Sequence, residues 1–287
     1  HDSFRALDDG SLIWQSERDG YAHLYRFAKG QWTQLTRGSW MVRKVVGVDA
    51  QKGLIYFLAN KDTPVEQHLY AVPLTGGEIT RLTAPGMWHS ATMARAGNRA
   101  IIEASSQSQP PQVWLADAEG KRLAWIEENK LDARHAYAPY VASHVVPRFD
   151  TITAADGSVL HTKLLTPPLE PGKRYPVLVQ VYNGPGAGRQ VMNIWGGALH
   201  QYLVDQGWII FSVDGRGSPD RGVAFESQIY RAMGGVEVAD QLAGVAWLKS
   251  QPFVDPKKIA VYGWSYGGYM TAKLLEAAPG TFAAGVS

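Results

Sequence analysis

The stretch Ile259-Ala-Val-Tyr-Gly-Trp-Ser-Tyr-Gly-Gly-Tyr269 decides how the second half of this chain folds. Its first four residues, Ile259–Tyr262, form a short apolar run of the kind buried on both faces as a parallel strand. Gly263-Trp264-Ser265-Tyr266-Gly267 follows in the G-x-S-x-G frame. Small residues two before and two after the serine are needed because the strand must turn sharply into a helix. A side chain at either place would collide with neighbouring backbone. Such a strained turn lifts the Ser265 hydroxyl out at the strand's C-terminal end, at the positive end of the following helix. Tyr266–Ala277 reads as that helix, closed by Pro279-Gly280, and Gly268 allows it to pack closely on the strand. Strand before and helix after give the motif its weight, and Ser265 reads as a nucleophile.

Upstream, the same grammar continues. Val177–Tyr182 and Trp208–Val213 are apolar runs that read as buried parallel strands, and Ala198–Gln206 between them reads as a short helix ended by Gly207. Val236–Ser250 is the clearest helix, with Val238, Leu242, Val245 and Leu248–Lys249 along one face. Glu237 and Asp240 near its start and Lys249 near its end suit the helix dipole. Thr151–Thr153 and Val159–Leu165 flank Asp156-Gly157 as a hairpin. Strands alternating with helices imply a sheet with crossovers, an α/β domain.

The first half repeats itself instead. His23-Leu24-Tyr25, a Lys29-Gly30 turn and Gln34-Leu35-Thr36 return as His68-Leu69-Tyr70, Gly76-Gly77 and Arg81-Leu82-Thr83. A weaker third copy runs through Val113-Trp114-Leu115, Glu119-Gly120 and Leu123-Ala124-Trp125. Each is preceded by another strand-like run, Leu12–Gln15, Leu54–Leu58 and Ala100–Glu103. Short strands, glycine turns and a period of ~40–50 residues are the mark of propeller blades. About three blades are expected over residues 1–134, a partial propeller whose earlier blades precede this sequence. Residues 135–287 are expected to form the N-terminal part of an α/β-hydrolase domain ending just after the nucleophile helix, so that the domain is incomplete here. Pro139 and Pro147 mark the change between the two.

Bulk properties narrow the chemistry. The chain has 287 residues, is 45% hydrophobic and carries a formal net charge of +2, too little to suggest nucleic acid or an anionic membrane as partner. It has no cysteine, which excludes disulfides, thiolate catalysis and cysteine metal sites. No run approaches the ~20 apolar residues of a membrane span. The start, His1-Asp2-Ser3-Phe4, shows no signal peptide. No cofactor and no metal are expected. A periplasmic or secreted address is favoured over a cytoplasmic one.

Gly263-Trp-Ser-Tyr-Gly-Gly-Tyr269, preceded by Phe253-Val-Asp-Pro256, resembles the prolyl oligopeptidase family, and specifically its dipeptidyl peptidase IV branch. Asp214-Gly-Arg-Gly-Ser218, Val236-Glu-Val-Ala-Asp-Gln241, Ser16-Glu-Arg-Asp-Gly20 and His23-Leu-Tyr25 are similar to that branch as well. The resemblance implies a propeller followed by a hydrolase, and a serine exopeptidase that releases Xaa-Pro or Xaa-Ala dipeptides from peptide substrates. It further implies Ser265 as catalytic nucleophile, with an oxyanion hole built from the Tyr182 hydroxyl and the Tyr266 amide. Gly263, Gly267 and Gly268 would be the elbow glycines. Asn183 stands where the family commonly has glycine. In this fold the triad order is Ser, Asp, His, yet residues 266–287 contain neither Asp nor His. The triad is therefore expected to lie partly beyond Ser287, the isolated chain to be inactive, and a homodimer to form in the full-length parent.

Three other readings stay open. An acylaminoacyl peptidase, an oligopeptidase or an esterase uses the same fold, and a peptide-binding protein with a degenerate site would keep it too. Glu127-Glu128 mimics the family's amino-terminus-binding pair but closes the last blade, and reads as solvated surface. Asp214–Ser218 lacks the spacing of a phosphate loop and reads as a turn fastened by an Asp–Arg pair.

Overall fold

A computed structural model describes residues 3–186 and 188–287. The chain divides into two compact units. One runs to Ala138 and takes in Met192–Trp195 and Asp220–Ala224; the other holds Pro139–Val191, Gly196–Pro219 and Phe225–Ser287.

The first unit contains three four-stranded antiparallel sheets among the described residues, each a meander in chain order. The first is β1 (Ser3–Ala6), β2 (Leu12–Ser16), β3 (His23–Ala28) and β4 (Gln31–Gln34). The second is β5 (Val42–Asp49), β6 (Leu54–Ala59), β7 (His68–Pro73) and β8 (Thr80–Arg81), and the third is β9 (Trp88–Met93), β10 (Arg99–Ser106), β11 (Gln109–Asp117) and β12 (Arg122–Glu127). These are propeller blades packed face to face. The middle blade shows why: along β6, Ile55, Phe57 and Ala59 enter one core with Ile13, Leu24 and Trp40, while Tyr56 and Leu58 enter a second with Ile102 and Ala116. A strand covered on both faces has no solvent side, so its sequence is continuously apolar rather than alternating. On β10 the alternation returns, with Ala100, Ile102 and Ala104 buried and Ile101 and Glu103 exposed.

The repeated His…Thr spacing has a physical reason. Thr36 Oγ accepts the Leu24 amide at 2.9 Å and lies 3.1 Å from His23 Nδ1. Thr83 Oγ does the same for Leu69 at 3.2 Å and His68 Nδ1 at 3.1 Å. His23 Nε2 meets the Gly38 carbonyl at 2.9 Å, so this nitrogen donates and Nδ1 accepts the threonine hydroxyl. Each pair latches the chain after a blade's last strand to the start of its third.

The second unit holds one six-stranded mixed sheet in the order β13-β14-β16-β15-β17-β18. Its strands are β13 (Arg148–Thr153), β14 (Val159–Leu165), β15 (Tyr175–Gln180), β16 (Ile209–Asp214), β17 (Val254–Tyr262) and β18 (Ala284–Val286). The first two join antiparallel, and β16, β15, β17 and β18 run parallel. The helices are α1 (Ala198–Asp205), α2 (Val223–Glu226), α3 (Val236–Ser250) and α4 (Tyr266–Ala277). A core of Val177, Val179, Phe211, Val213, Val261, Val245, Leu248, Met270 and Leu274 lies between sheet and helices. α1 closes with the Trp208 amide on the Leu203 carbonyl at 2.9 Å and Gly207 at φ +84°, the αL stop its glycine announces.

Two boundaries differ from expectation. β15 ends at Gln180, not Tyr182, because Asn183 adopts φ +60° and turns the chain out of the sheet. On α3, the buried stripe includes Glu237, Asp240 and Gln241 beside the expected Val238, Val245 and Leu248. Glu237 and Asp240 are therefore core groups with specific partners, rather than solvated complements of the dipole.

Candidate active site

β17 ends at Tyr262 and α4 begins at Tyr266, and the turn between them is as tight as its glycines require. Ser265 sits at the helix N-cap with φ +57° and ψ −119°, a region L-residues rarely occupy and whose strain is of order 1–3 kcal/mol. Its carbonyl accepts the amides of Gly268 at 2.9 Å and Tyr269 at 3.2 Å, so the strained residue is locked into the helix start. A methyl on Gly263 would overlap the Gly267 backbone, and one on Gly267 would overlap the Val181 carbonyl on the neighbouring strand end. At Gly268 it would press on the Ser287 hydroxyl at 3.2 Å. Ser265 and Trp264 are exposed, Trp264 at 79%. A hydroxyl presented in this way, at the first turn of a helix whose leading amides lack intrahelical acceptors, is accessible to substrate.

Tyr182 lies two residues beyond β15, and its ring centroid is 6.1 Å from that of Tyr266. The loop after it wraps the ring. A Cβ at Gly184 would meet both Tyr182 and Tyr266, and one at Gly188 would overlap the Tyr182 ring. The structure thus brings Tyr182 beside the turn that carries Ser265 and Tyr266. Asn183, in a position where the family commonly has glycine, is accommodated because asparagine tolerates the left-handed region. It is also buried, and its Oδ1 accepts the Gln241 side-chain amide at 3.0 Å.

Behind these residues runs a buried polar layer. Arg216 is bidentate on Asp240, with Nη2 to Oδ1 at 2.6 Å and Nε to Oδ2 at 3.0 Å, and it also pairs with Asp156. Asp214 holds the next loop through the Gln190 amide at 2.7 Å and Arg189 Nε at 3.2 Å. The Asp–Arg fastening expected inside Asp214–Ser218 is therefore corrected: each charge leaves the turn for a partner elsewhere, because Asp214 and Arg216 extend to different neighbours. Glu237 accepts the Tyr266 hydroxyl at 3.0 Å and the Gly235 amide at 3.2 Å. Burial, and then the Glu237 carboxylate, hold the Tyr266 phenol well above the usual tyrosine range.

Sequence reasoning did not find the roles of Glu237, Asp240 and Gln241. The signal was present, since 237, 241, 244 and 248 follow helical spacing on the stripe that Val245 and Leu248 identify. Glu127 and Glu128 are exposed, and Glu127 belongs to β12. Among the described residues no group of three His, Asp or Glu is arranged to hold a metal, and no helix is long and apolar enough to cross a membrane.

Residues 197–287 match the model of the prolyl oligopeptidase family, and residues 1–111 match that of the dipeptidyl peptidase IV N-terminal region. The chain belongs to the prolyl oligopeptidase family, in its dipeptidyl peptidase IV branch. An Aspergillus fumigatus protein described as "Probable dipeptidyl peptidase 4" is 33% identical over 281 residues, 94% of this chain and 36% of the relative. An Emericella nidulans protein described as "Probable dipeptidyl-aminopeptidase B" is 34% identical over 272 residues, 90% of this chain and 29% of the relative. The crystal structure of Porphyromonas gingivalis dipeptidyl peptidase 4 superposes with a TM-score of 0.90 at 29% identity, covering 99% of this chain and 40% of that one. The chain thus spans about a third of the length of the curated relatives it matches. Both parts of the family's architecture, blades and α/β-hydrolase sheet, are present in that span.

Proposed function

We propose that the whole protein is a serine exopeptidase that releases Xaa-Pro and Xaa-Ala dipeptides from peptide N-termini. The observation that carries this reading is Ser265 itself, held at φ +57° between β17 and α4 by glycines that admit no side chain. Fold stability gives no reason to keep such strain on a non-glycine residue, whereas a nucleophile that must stand clear of the sheet gives one.

In this reading the Ser265 oxygen attacks the scissile carbonyl carbon, and the carbonyl electrons move onto oxygen. The oxyanion is held by the Tyr182 hydroxyl and the Tyr266 amide, the amine leaves, and water releases the acyl group from Ser265. A base must take the serine proton, and the reading assigns that role to no histidine described here. His23, His68 and His89 are engaged inside the blades, and His135 is bonded to Asn129 at 2.9 Å.

The printed descriptions of the relatives support dipeptide release, and Tyr rather than His at position 182 favours it over the acylaminoacyl type. A pair of chromogenic substrates tests the reading in the whole encoded protein: Gly-Pro and N-acetyl-Gly-Pro on one leaving group. Cleavage of the free-amine form alone, abolished by Ser265→Ala, is the expected result. Equal rates on the two forms would replace dipeptide release with an acylaminoacyl or oligopeptidase activity.

A further inference from the structure

Glu237 has no part in the acyl-transfer scheme, yet its setting is unusual for a glutamate in the first turn of a helix. Such a carboxylate ordinarily lies in water, where the helix dipole favours it at no desolvation cost. Here the residue is 0% exposed, and a buried carboxylate persists only when donors converge on it. Three do: the Gly234 amide at 2.5 Å, the Gly235 amide at 3.2 Å and the Tyr266 hydroxyl at 3.0 Å. The first two close the turn that leads into α3. The third comes from a different element, from the residue directly after Ser265.

Tyr266 is bounded elsewhere too. Its ring centroid lies 5.2 Å from that of Tyr269 and 6.1 Å from that of Tyr182. A Cβ on Gly234 would come within 2.7 Å of the Tyr269 hydroxyl, so the turn held by Glu237 also lies against that ring. Capping α3 does not account for this arrangement. An exposed Ser or Asp caps a helix without burying a charge, and without reaching a second element.

We propose that Glu237 is a positioning residue. Its carboxylate fixes the Tyr266 phenol, and with it the first turn of α4, so that the Tyr266 amide and ring present one geometry to the acyl group. The proposal rests on Ser265 being the nucleophile.

The test measures kcat, KM and thermal midpoint for the whole encoded protein on Gly-Pro chromogenic substrate. The variants are Glu237→Ala, Glu237→Gln, Tyr266→Phe and the Ala/Phe double variant, with Ser265→Ala alongside. Glu237→Ala and Tyr266→Phe are each expected to lower kcat roughly tenfold with KM changed less than about threefold. That is below the ~10²–10³-fold cost of removing an oxyanion donor outright, since the amide is misplaced rather than lost. Because both changes cut one bond, the double variant should be no slower than the slower single. Glu237→Gln, which still offers an oxygen to the phenol, should recover most of kcat. A double variant that loses the product of the two single effects overturns the proposal. So does a Glu237→Ala that lowers the thermal midpoint but leaves kcat untouched. If Glu237→Ala yields no folded protein, Tyr266→Phe at wild-type kcat overturns it. Hydrolysis surviving in Ser265→Ala would instead overturn the nucleophile reading, and this proposal with it.

Discussion

His89 should make the propeller blades acid-labile over a defined pH window. Its imidazole lies on β9, 1% exposed, with Nδ1 3.1 Å from the Gln67 carbonyl and its ring 5.1 Å from that of His68. The carbonyl requires Nδ1 to donate, and the ring also stands edge-on to Trp114 at 6.3 Å. Burial is the first cause that lowers its pKa, from 6.5 to about 4, and a charge on His68 would lower it further. A base whose folded pKa is depressed binds fewer protons folded than unfolded between the two values. Its neutral form is therefore fully stabilising above pH 6.5, and that contribution is lost as pH falls from 6.5 to 4. At 1.36 kcal/mol per unit the whole loss is about 3 kcal/mol, with about 2.5 kcal/mol of it gone by pH 4.5. Denaturant unfolding followed by tryptophan fluorescence at pH 7 and pH 4.5 checks this, comparing the parent with His89→Gln. The variant starts less stable but should show a fall smaller by that amount. An imidazole NMR titration should place His89 near 4. The reasoning is refuted if parent and variant lose equal stability across the window, or if the His89 resonance titrates near 6.5.

Two further substitutions probe the blades and the nucleophile turn. Thr36→Val and Thr83→Val keep the side-chain volume but remove the hydroxyl that accepts a leucine amide and faces a buried histidine. Each should cost ~1–3 kcal/mol in denaturant unfolding, and no loss in either would show that the latch holds nothing. Gly267→Ala drives a methyl into the Val181 carbonyl. It should cost at least ~2 kcal/mol by thermal unfolding and abolish hydrolysis, whereas an active variant at the parent's midpoint would mean that the elbow needs no such clearance.

The sequence by itself determined the parts that depend on local backbone chemistry and on periodicity. The G-x-S-x-G turn was legible because only glycine satisfies the contacts at 263 and 267, and strain at Ser265 follows from the chain reversing there. The extents of α3 and α4 were legible because their apolar spacing and Gly235, Gly280 and Pro279 punctuate them. Blade repeats were legible because His23 with Thr36 and His68 with Thr83 perform one job twice.

Only the tertiary structure decided what the charges do. Asp214 and Arg216 sit two residues apart, and proximity in sequence suggested that they pair with each other. In space Arg216 meets Asp240 on α3, and Asp214 meets Arg189 beyond the adjacent strand. Glu237 looked like a solvated helix-dipole complement until the nucleophile helix was seen to bring Tyr266 onto it. A charged side chain selects its partner by which elements fold beside it, over separations of tens of residues, and neither composition nor spacing encodes that choice. The strained serine is a local property of its own turn. The environment that orients the residue after it belongs to the fold.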